Sequence, residues 1–400
     1  NKQIGFTMTL SLAGIVALGP AAIDMYLASM PNMALDLQTS YASTQMTLTT
    51  FLIFMGLGQL IFGPLSDAIG RRIPLLLGLI TYMLTSLWAA FSPSLESLML
   101  ARLMQGLGAA MMIVVVMSMV RDLVEGTEAA QLYALLNTIV ALGPIIAPAL
   151  GGFIGAHYGW RGIMLVLTGL SAFILMNTLL HVKESLVPTQ RIAFHFNQIC
   201  HTYFNILKNH VFLLNLLALS AVYFFLFSYI GGSAYVYQND YQLSLEQFGL
   251  VFGLTSISLV LGASSSAYWV KKIDISHLAI LGAIMMMLGS LLCLLTHFFA
   301  FGLIGIVSGI ALGLFGLGIL EASLMAIAMD AQKTALGSSA ALLGAVPMLL
   351  SSIATPIAGR LVEINSFYWL LLLSSIGPLI LIFVYCSAKK ATSIKVLETH

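Results

Sequence analysis

Residues 12–30 read LAGIVALGPAAIDMYLASM. At ~1.5 Å of rise per residue, such a run is about as long as the ~30 Å hydrocarbon core of a bilayer. It carries a single charge, Asp24. A carboxylate at membrane depth costs roughly 2.5–3.5 kcal/mol on insertion scales, so a chain that keeps one there uses it on ions, protons or charged substrate. A secretory leader does not fit, because the run is too long, holds Asp24 and is followed by many more apolar stretches.

Working outward, the 400 residues are 60% hydrophobic and only 8% charged, against about 25% charged in an ordinary soluble domain. Such a surface cannot face water, so lipid is its solvent. The formal net charge of +1, with basic residues scattered through short loops, gives no sign of a nucleic-acid partner. Cys200, Cys293 and Cys386 lie far apart with no metal-type spacing, and read as small apolar fillers instead of a disulfide framework.

Twelve apolar runs follow, at 7–30, 43–63, 73–92, 96–120, 131–156, 161–181, 211–236, 246–270, 277–298, 300–327, 334–359 and 367–387. They are far too long for barrel strands, and only helices or closed barrels satisfy the backbone in lipid. With a cytoplasmic N-terminus, the inner loops collect Lys2, Arg71, Arg72, Arg121, Lys183, Arg191, Lys208, Lys271, Lys272, Lys333, Lys389, Lys390 and Lys395. Only Arg161 and Arg360 fall outside, with Arg102 within a span. This asymmetry predicts both termini in the cytoplasm.

The longest polar interval, 182–210, separates a bundle over 1–181 from a second over 211–400. Its histidines, His181, His195, His201 and His210, have no metal-type spacing and read as part of a solvated amphipathic linker. The halves are weak repeats. GPLSDAIGRR (63–72) has a counterpart in GASSSAYWVKK (262–272), and APALGG (147–152) in TPIAGR (355–360). Paired halves are how many secondary transporters are built, with the site at their interface.

Within 63–72, Gly63 and Gly70 permit a tight reversal. Asp67, Arg71 and Arg72 can pair with neighbouring helix ends, as a latch that locks one conformation. In span five, Pro144 and Pro148 weaken the helical ladder. Gly143, Ala147, Gly151 and Gly155 recur every four residues as a small-residue face for close helix approach, with Gly152 beside it. Gly305, Gly309 and Gly313 of span ten read as a plain packing row. Asp24, about six residues from the outer end of span one, and Arg102, about six after the outer start of span four, sit at similar depth. An Asp24–Arg102 interaction is therefore expected. Glu321, in GLGILEASLMA, is a second membrane acid, either a second proton or cation site or a solvated group near the inner interface. Span seven is rich in aromatics. Tyr223, Phe227 and Tyr229, with Tyr26 and Asn137, are assigned to a broad apolar substrate pocket with a few polar handles.

GPLSDAIGRR resembles the loop signature of the major facilitator superfamily. LMLARLMQGLGAA (98–110) is similar to its span-four pattern around an arginine, and ALGPIIAPALGG (141–152) to its antiporter pattern. LGPAAIDMYLASMP (18–31) resembles the first span of bicyclomycin- and chloramphenicol-resistance (Bcr/CflA) type drug:proton antiporters. Ala28 replaces the usual proline there, and the second loop copy has Ser266 near the place of an aspartate. The resemblance implies an all-α integral membrane fold of twelve transmembrane helices in two six-helix bundles. It implies a charge relay of Asp67 and Arg71 with Asp122, and exchange in place of cotransport at span five.

The expected function is proton-coupled antiport, a multidrug efflux that exports small amphipathic compounds across the bacterial inner membrane. Asp24, Arg102 and Glu321 would couple protons, and Asp24 would also meet substrate. The expected partners are a small-molecule substrate, protons and the lipid bilayer. The protein is expected to act as a monomer, with no nucleic acid, no metal, and no cofactor beyond the proton gradient. The alternatives are an exporter of one endogenous metabolite or siderophore, or a nutrient symporter on the same fold. No Ser–His pair in the membrane, HExxH or phosphate-binding loop suggests an enzyme.

Overall fold

The computed structural model describes residues 6–332 and 335–398, with the backbone alone for residues 130 and 390–398. Lys2 and Lys333, counted in the charge asymmetry, lie outside the described residues, as do the side chains of Lys390 and Lys395. Every regular element among the described residues is helical. The α-helices are α1 (Phe6–Asp24), α2 (Met30–Asp36), α3 (Tyr41–Ile69), α4 (Arg72–Ala90), α5 (Leu95–Leu123), α6 (Gly126–His181) and α7 (Phe196–Leu207). They continue as α8 (His210–Tyr235), α9 (Leu245–Trp269), α10 (Ile275–Phe299), α11 (Gly302–Asp330), α12 (Leu336–Ser351), α13 (Ala354–Ile364) and α14 (Ser366–Glu398).

Eleven of these stretches are long and apolar enough to cross a membrane. Twelve were expected, and the difference lies in α6. Its 56 residues are broken at Gly159, where φ is 68° and ψ 178°, so expected spans five and six run together through a single kink. The kink is pinned from outside. Trp160 Nε1 donates to Asp36 Oδ2 at 3.0 Å, Arg161 pairs with the same carboxylate, and Arg161 Nη2 donates to the Ser92 carbonyl at 3.1 Å.

The chain forms two compact units. The first is the chain up to Phe196 together with Leu243–Leu250; the second is Asn197–Gln242 and the chain from Val251 on. The polar interval 182–210 is thus shared, its first part belonging to the first unit. In the second unit α10 and α11 meet along glycines: a Cβ on Gly289 would lie 2.5 Å from the Gly309 carbonyl oxygen, and one on Gly282 2.9 Å from that of Gly316. Trp369 is fully buried against α8, its Nε1 donating to the Ser228 carbonyl at 2.8 Å. In lipid, close backbone approach and such interhelical hydrogen bonds replace the hydrophobic effect as the cohesive force.

Two helices of the first unit depart from continuity in ways that matter later. The first span is not one helix: α1 ends at Asp24, a short 3-10 turn covers Leu27–Ser29, and α2 begins at Met30. The glycine face of α6 lies against that interruption. A Cβ on Gly143 would stand 2.4 Å from Pro20 Cβ, one on Gly151 1.7 Å from the Met25 carbonyl oxygen, and one on Gly155 2.3 Å from Ser29 Oγ. Gly152 faces the Leu245 carbonyl, within the segment Leu243–Leu250 that groups with this unit. Overpacking at such a contact costs about 1–3 kcal/mol. Gly151→Ala is therefore expected to lower the midpoint of thermal unfolding in detergent. Gly169→Ala, on the same helix with nothing within 4 Å of its Cβ position, is expected to leave it unchanged.

Candidate functional site

The interruption after Asp24 leaves backbone carbonyls of α1 without their usual intrahelical partners. Arg102, on α5 and 0% exposed, supplies one: its Nη2 donates to the Ala22 carbonyl at 2.8 Å. A guanidinium at a helix C-terminus also meets the negative end of the helix dipole. The cation is further held by the Tyr26 ring at 4.5 Å and the Phe51 ring at 4.4 Å. Its Nη1 donates to Gln105 Oε1 at 2.6 Å, and Gln105 Nε2 donates to Ser86 Oγ at 2.8 Å. Tyr26 is buried as well, with its hydroxyl 3.3 Å from Thr47 Oγ1.

Asp24 lies at the same interruption and is 4% exposed. It forms no ion pair or hydrogen bond among the described residues. The expected pairing of Asp24 with Arg102 is therefore corrected. Equal depth brings the two to one level, but the broken helix offers the guanidinium a carbonyl and two aromatic faces, and these take the cation. Asp24 is left as a carboxyl with a high desolvation cost when charged and no partner to offset it.

The second cluster lies where α3, α4 and α5 meet the start of the linker. Gly70 has φ of 101°, the left-handed region that glycine enters without strain, and it turns the chain from α3 into α4. Arg71, 2% exposed, reaches Asp67 Oδ1 at 2.5 Å, Asp122 Oδ2 at 2.8 Å and Ser66 Oγ at 2.7 Å. The two carboxylates around one arginine use its planar fork, a geometry that lysine cannot supply. Arg72 instead donates to linker-side carbonyls, Val182 at 3.1 Å and Leu179 at 3.2 Å.

A residue not singled out from sequence completes this cluster. Glu184 Oε1 accepts from the Arg71 amide at 2.8 Å and from the Ser185 and Leu186 amides at 3.0 Å each. Its Oε2 accepts from the Arg72 amide at 3.2 Å. The linker carboxylate thus caps the N-terminus of α4, where orphan amides and the dipole favour an anion. A Cβ on Gly70 would fall 2.6 Å from Glu184 Oε2, so the glycine is required twice over. Ser185 Oγ donates to Asp122 Oδ2 at 3.1 Å, and the Ile192 amide to the Asp67 carbonyl at 3.0 Å. Partial burial opposes ionisation of Glu184, but the Arg71, Leu186, Arg72 and Ser185 amides outweigh it and hold its pKa below the usual glutamate range.

The remaining candidates separate by unit. In the second unit the Tyr223 hydroxyl donates to Glu321 Oε1 at 2.7 Å, and the Tyr223 and Phe227 rings are 6.4 Å apart. Tyr229 is buried and stacked on Phe252 at 5.1 Å, the position of a packing residue. Asn137, in the first unit, is exposed on α6. The second loop copy forms no matching latch among the described residues: Ser266 is buried, and Lys272 Nζ donates to the Tyr268 hydroxyl at 2.9 Å. No group of three metal-ligating side chains occurs among the described residues.

Helices of membrane-spanning length around a buried arginine, an unpaired intramembrane acid and a charged loop latch define a multi-pass membrane transporter. The chain belongs to the Major Facilitator Superfamily, whose family model matches residues 10–341. Transporters of this family generally use ion gradients and need no cofactor. The chain is 33% identical over 351 residues, 87% of each chain, to "Uncharacterized MFS-type transporter YdgK" of Bacillus subtilis (strain 168). It is 27% identical to "Bicyclomycin resistance protein homolog" of Haemophilus influenzae, over 88% of this chain and 89% of that one. Its fold is shared with a solved POT family transporter in complex with 5-aminolevulinic acid, at a TM-score of 0.77 and 14% identity, covering 97% of this chain and 98% of that one.

Loss of the Glu184 cap is expected to cost about 1 kcal/mol, the usual worth of a helix cap. Glu184→Gln should lower the thermal midpoint at pH 7 by the corresponding amount. Because the folded pKa of Glu184 is depressed, its contribution is complete above the unfolded value of ~4.3 and lost as pH falls through the lower folded value. The difference between wild type and Glu184→Gln should therefore be constant from neutral pH to about 5 and close below it, read as unfolding midpoints across a pH series.

Proposed function

We propose that this chain is a proton-coupled antiporter that exports small amphipathic compounds, drugs among them, across the inner membrane of a bacterium. The observation that carries the reading is Asp24: a carboxyl 4% exposed with no partner among the described residues, set at a break in a membrane helix. Discontinuous helices are where secondary transporters place substrate and coupling-ion sites. Similarity to a protein named for bicyclomycin resistance supports export of a drug-like cargo. The bias of basic residues supports an orientation with the linker and both ends of this chain in the cytoplasm.

In this reading Asp24 takes a proton from the outside, and proton and substrate compete for its surroundings. Arg102 holds the interruption in α1 so that the carboxyl keeps its place as the cavity changes sides. The Asp67, Arg71 and Asp122 cluster locks one state through contacts that must break in the other, and Glu184 ties the linker to that lock. Glu321 with Tyr223 offers the second unit an acid of its own. One charge crossing about 150 mV supplies ~3.5 kcal/mol, or roughly a 300-fold gradient. The working unit is a monomer, each copy holding the full set of residues.

Asp24→Asn keeps the shape of the side chain and removes its titration. It is expected to abolish drug accumulation into inside-out vesicles energised by an acid interior, while the variant still inserts and runs as wild type on size exclusion. Full gradient-driven transport by Asp24→Asn rejects the role of Asp24. Movement of substrate along with the proton, in place of exchange, rejects antiport and leaves a symporter.

A further inference from the structure

The linker helix α7, FNQICHTYFNIL, is 12 residues long. That is about 18 Å, too short for the ~30 Å hydrocarbon core of a bilayer. At ~100° per residue its residues separate by character. Phe196, Ile199, Cys200, Tyr203, Phe204 and Leu207 share one side; Asn197, Gln198, His201 and Asn205, with Lys208 just past the helix end, share the other.

The protein covers little of the apolar side. Among the described residues α7 has no extended packing against another helix. Ile206, at one edge of that side, is buried, but Phe196 and Phe204 are 62% and 61% exposed, and Cys200 between them is exposed as well. These three stand at i, i+4 and i+8, one row along the helix. The polar side keeps to itself, with Asn205 Nδ2 2.9 Å from His201 Nδ1.

The level of α7 decides what covers this row. Its C-terminal end is fastened beside the ends of two membrane-length helices. Asn209, with extended backbone at φ −72° and ψ 112°, turns the chain and caps α8, its Oδ1 accepting from the Val211 and Phe212 amides. Asn209 Nδ2 donates to the Ala331 carbonyl, just past α11, at 2.8 Å, and Gln332 Nε2 donates to the Ile206 carbonyl at 3.4 Å. Both α8 and α11 are long and apolar enough to span, so α7 ends where hydrocarbon gives way to headgroups. A short amphipathic helix at that boundary lies in the interface with its apolar side toward the acyl chains. The charge agrees: no acid occurs between Glu184 and Asp240, whereas Arg191 and Lys208 flank α7. Lys208 Nζ stands over the Phe204 ring at 4.8 Å, the posture of a lysine whose stem crosses an apolar edge to bring its head to the headgroups.

We propose that α7 is an interfacial anchor. Its row of Phe196, Cys200 and Phe204 lies at the acyl–headgroup boundary of the leaflet on the linker's side, and Lys208 meets the phosphates of anionic lipid. The proposal rests on the membrane-spanning fold and not on drug export. The linker that caps α4 through Glu184 is then moored to lipid farther along.

The test uses the full chain reconstituted in liposomes. With Cys386→Ser, Cys200 is the exposed cysteine that takes a bimane fluorophore, Cys293 being buried. In phosphatidylcholine bearing a nitroxide on its acyl chain, bimane at Cys200 is expected to be quenched at least about threefold more than bimane on the polar side, placed by Asn205→Cys with Cys200→Ser. A water-soluble quencher should give the opposite order. Adding Phe196→Ser and Phe204→Ser should bring Cys200 to the level of the polar side. Replacing about a third of the lipid with phosphatidylglycerol should deepen lipid quenching at Cys200, and Lys208→Gln should remove that increment. Equal lipid quenching at the two positions, or stronger aqueous quenching at Cys200, overturns the proposal. Shielding of Cys200 from both quenchers overturns it too, because a protein surface such as a second copy then covers the row. Quenching indifferent to phosphatidylglycerol overturns the assignment of Lys208 to anionic lipid.

Discussion

The contact between the Arg102 guanidinium and the Ala22 carbonyl is the constraint on which the first unit depends. A membrane helix interrupted mid-span exposes backbone groups that water cannot reach, at several kcal/mol each when left unsatisfied. Here the interruption is stabilised by a charge brought from another helix, and the charge is in turn held by two aromatic faces and by Gln105. Neither partner is tolerable in lipid alone. The fully buried cation justifies the broken helix, and the broken helix gives the cation an anionic end to face.

The glycine row of α6 belongs to the same construction. Gly151 and Gly155 lie against the Met25 carbonyl and Ser29 Oγ at distances no Cβ could share. The segment that a sequence motif associates with exchange is, in this fold, the wall against which the interrupted stretch rests. This alters the physical meaning of the motif. Its small residues are not merely a smooth surface; they let a helix come close enough to fix a short irregular stretch whose own hydrogen bonds are incomplete. Asp24 inherits its position from both neighbours, since α5 holds the carbonyl two residues before it and α6 the carbonyl one residue after it.

The architecture was legible in the sequence because lipid forces it. Apolar runs of span length have one structural solution, and only the Gly159 kink, which fuses two runs into α6, changed the count. The site was legible in its residue types more than in its contacts. Asp67, Arg71 and Asp122 met as the loop signature implied. Asp24 and Arg102 did not, because depth along a helix specifies a level and says nothing of which backbone carbonyl competes for a cation. The interruption at 25–29 was hidden because its residues, Met25, Tyr26, Leu27, Ala28 and Ser29, include no glycine, proline or charge to mark a break in a membrane run. Glu184 was missed for a related reason. Its partners are backbone amides at the start of α4, and a main-chain donor leaves no letter in the sequence; the available signal was an acid a fixed distance after the last span of the unit, opposite a glycine turn. Tyr229, an aromatic on the same helix as Tyr223, stacks on Phe252, a partner that helical spacing alone does not specify.

These contacts also explain why the two units, though repeats in sequence, are not equivalent in chemistry. The first holds a buried arginine, an unpaired acid and a latch whose arginine is shared between two carboxylates. In the second, the corresponding loop has lost its aspartate, Ser266 is buried, and the basic pair at 271–272 is left to Tyr268 and solvent. Its acids sit elsewhere: Glu321 is bonded to Tyr223 within the span, and Asp240 and Glu363 line a cavity at one end. In a chain with so few charges, the places where they survive are the places where the fold is asked to do more than stand in lipid.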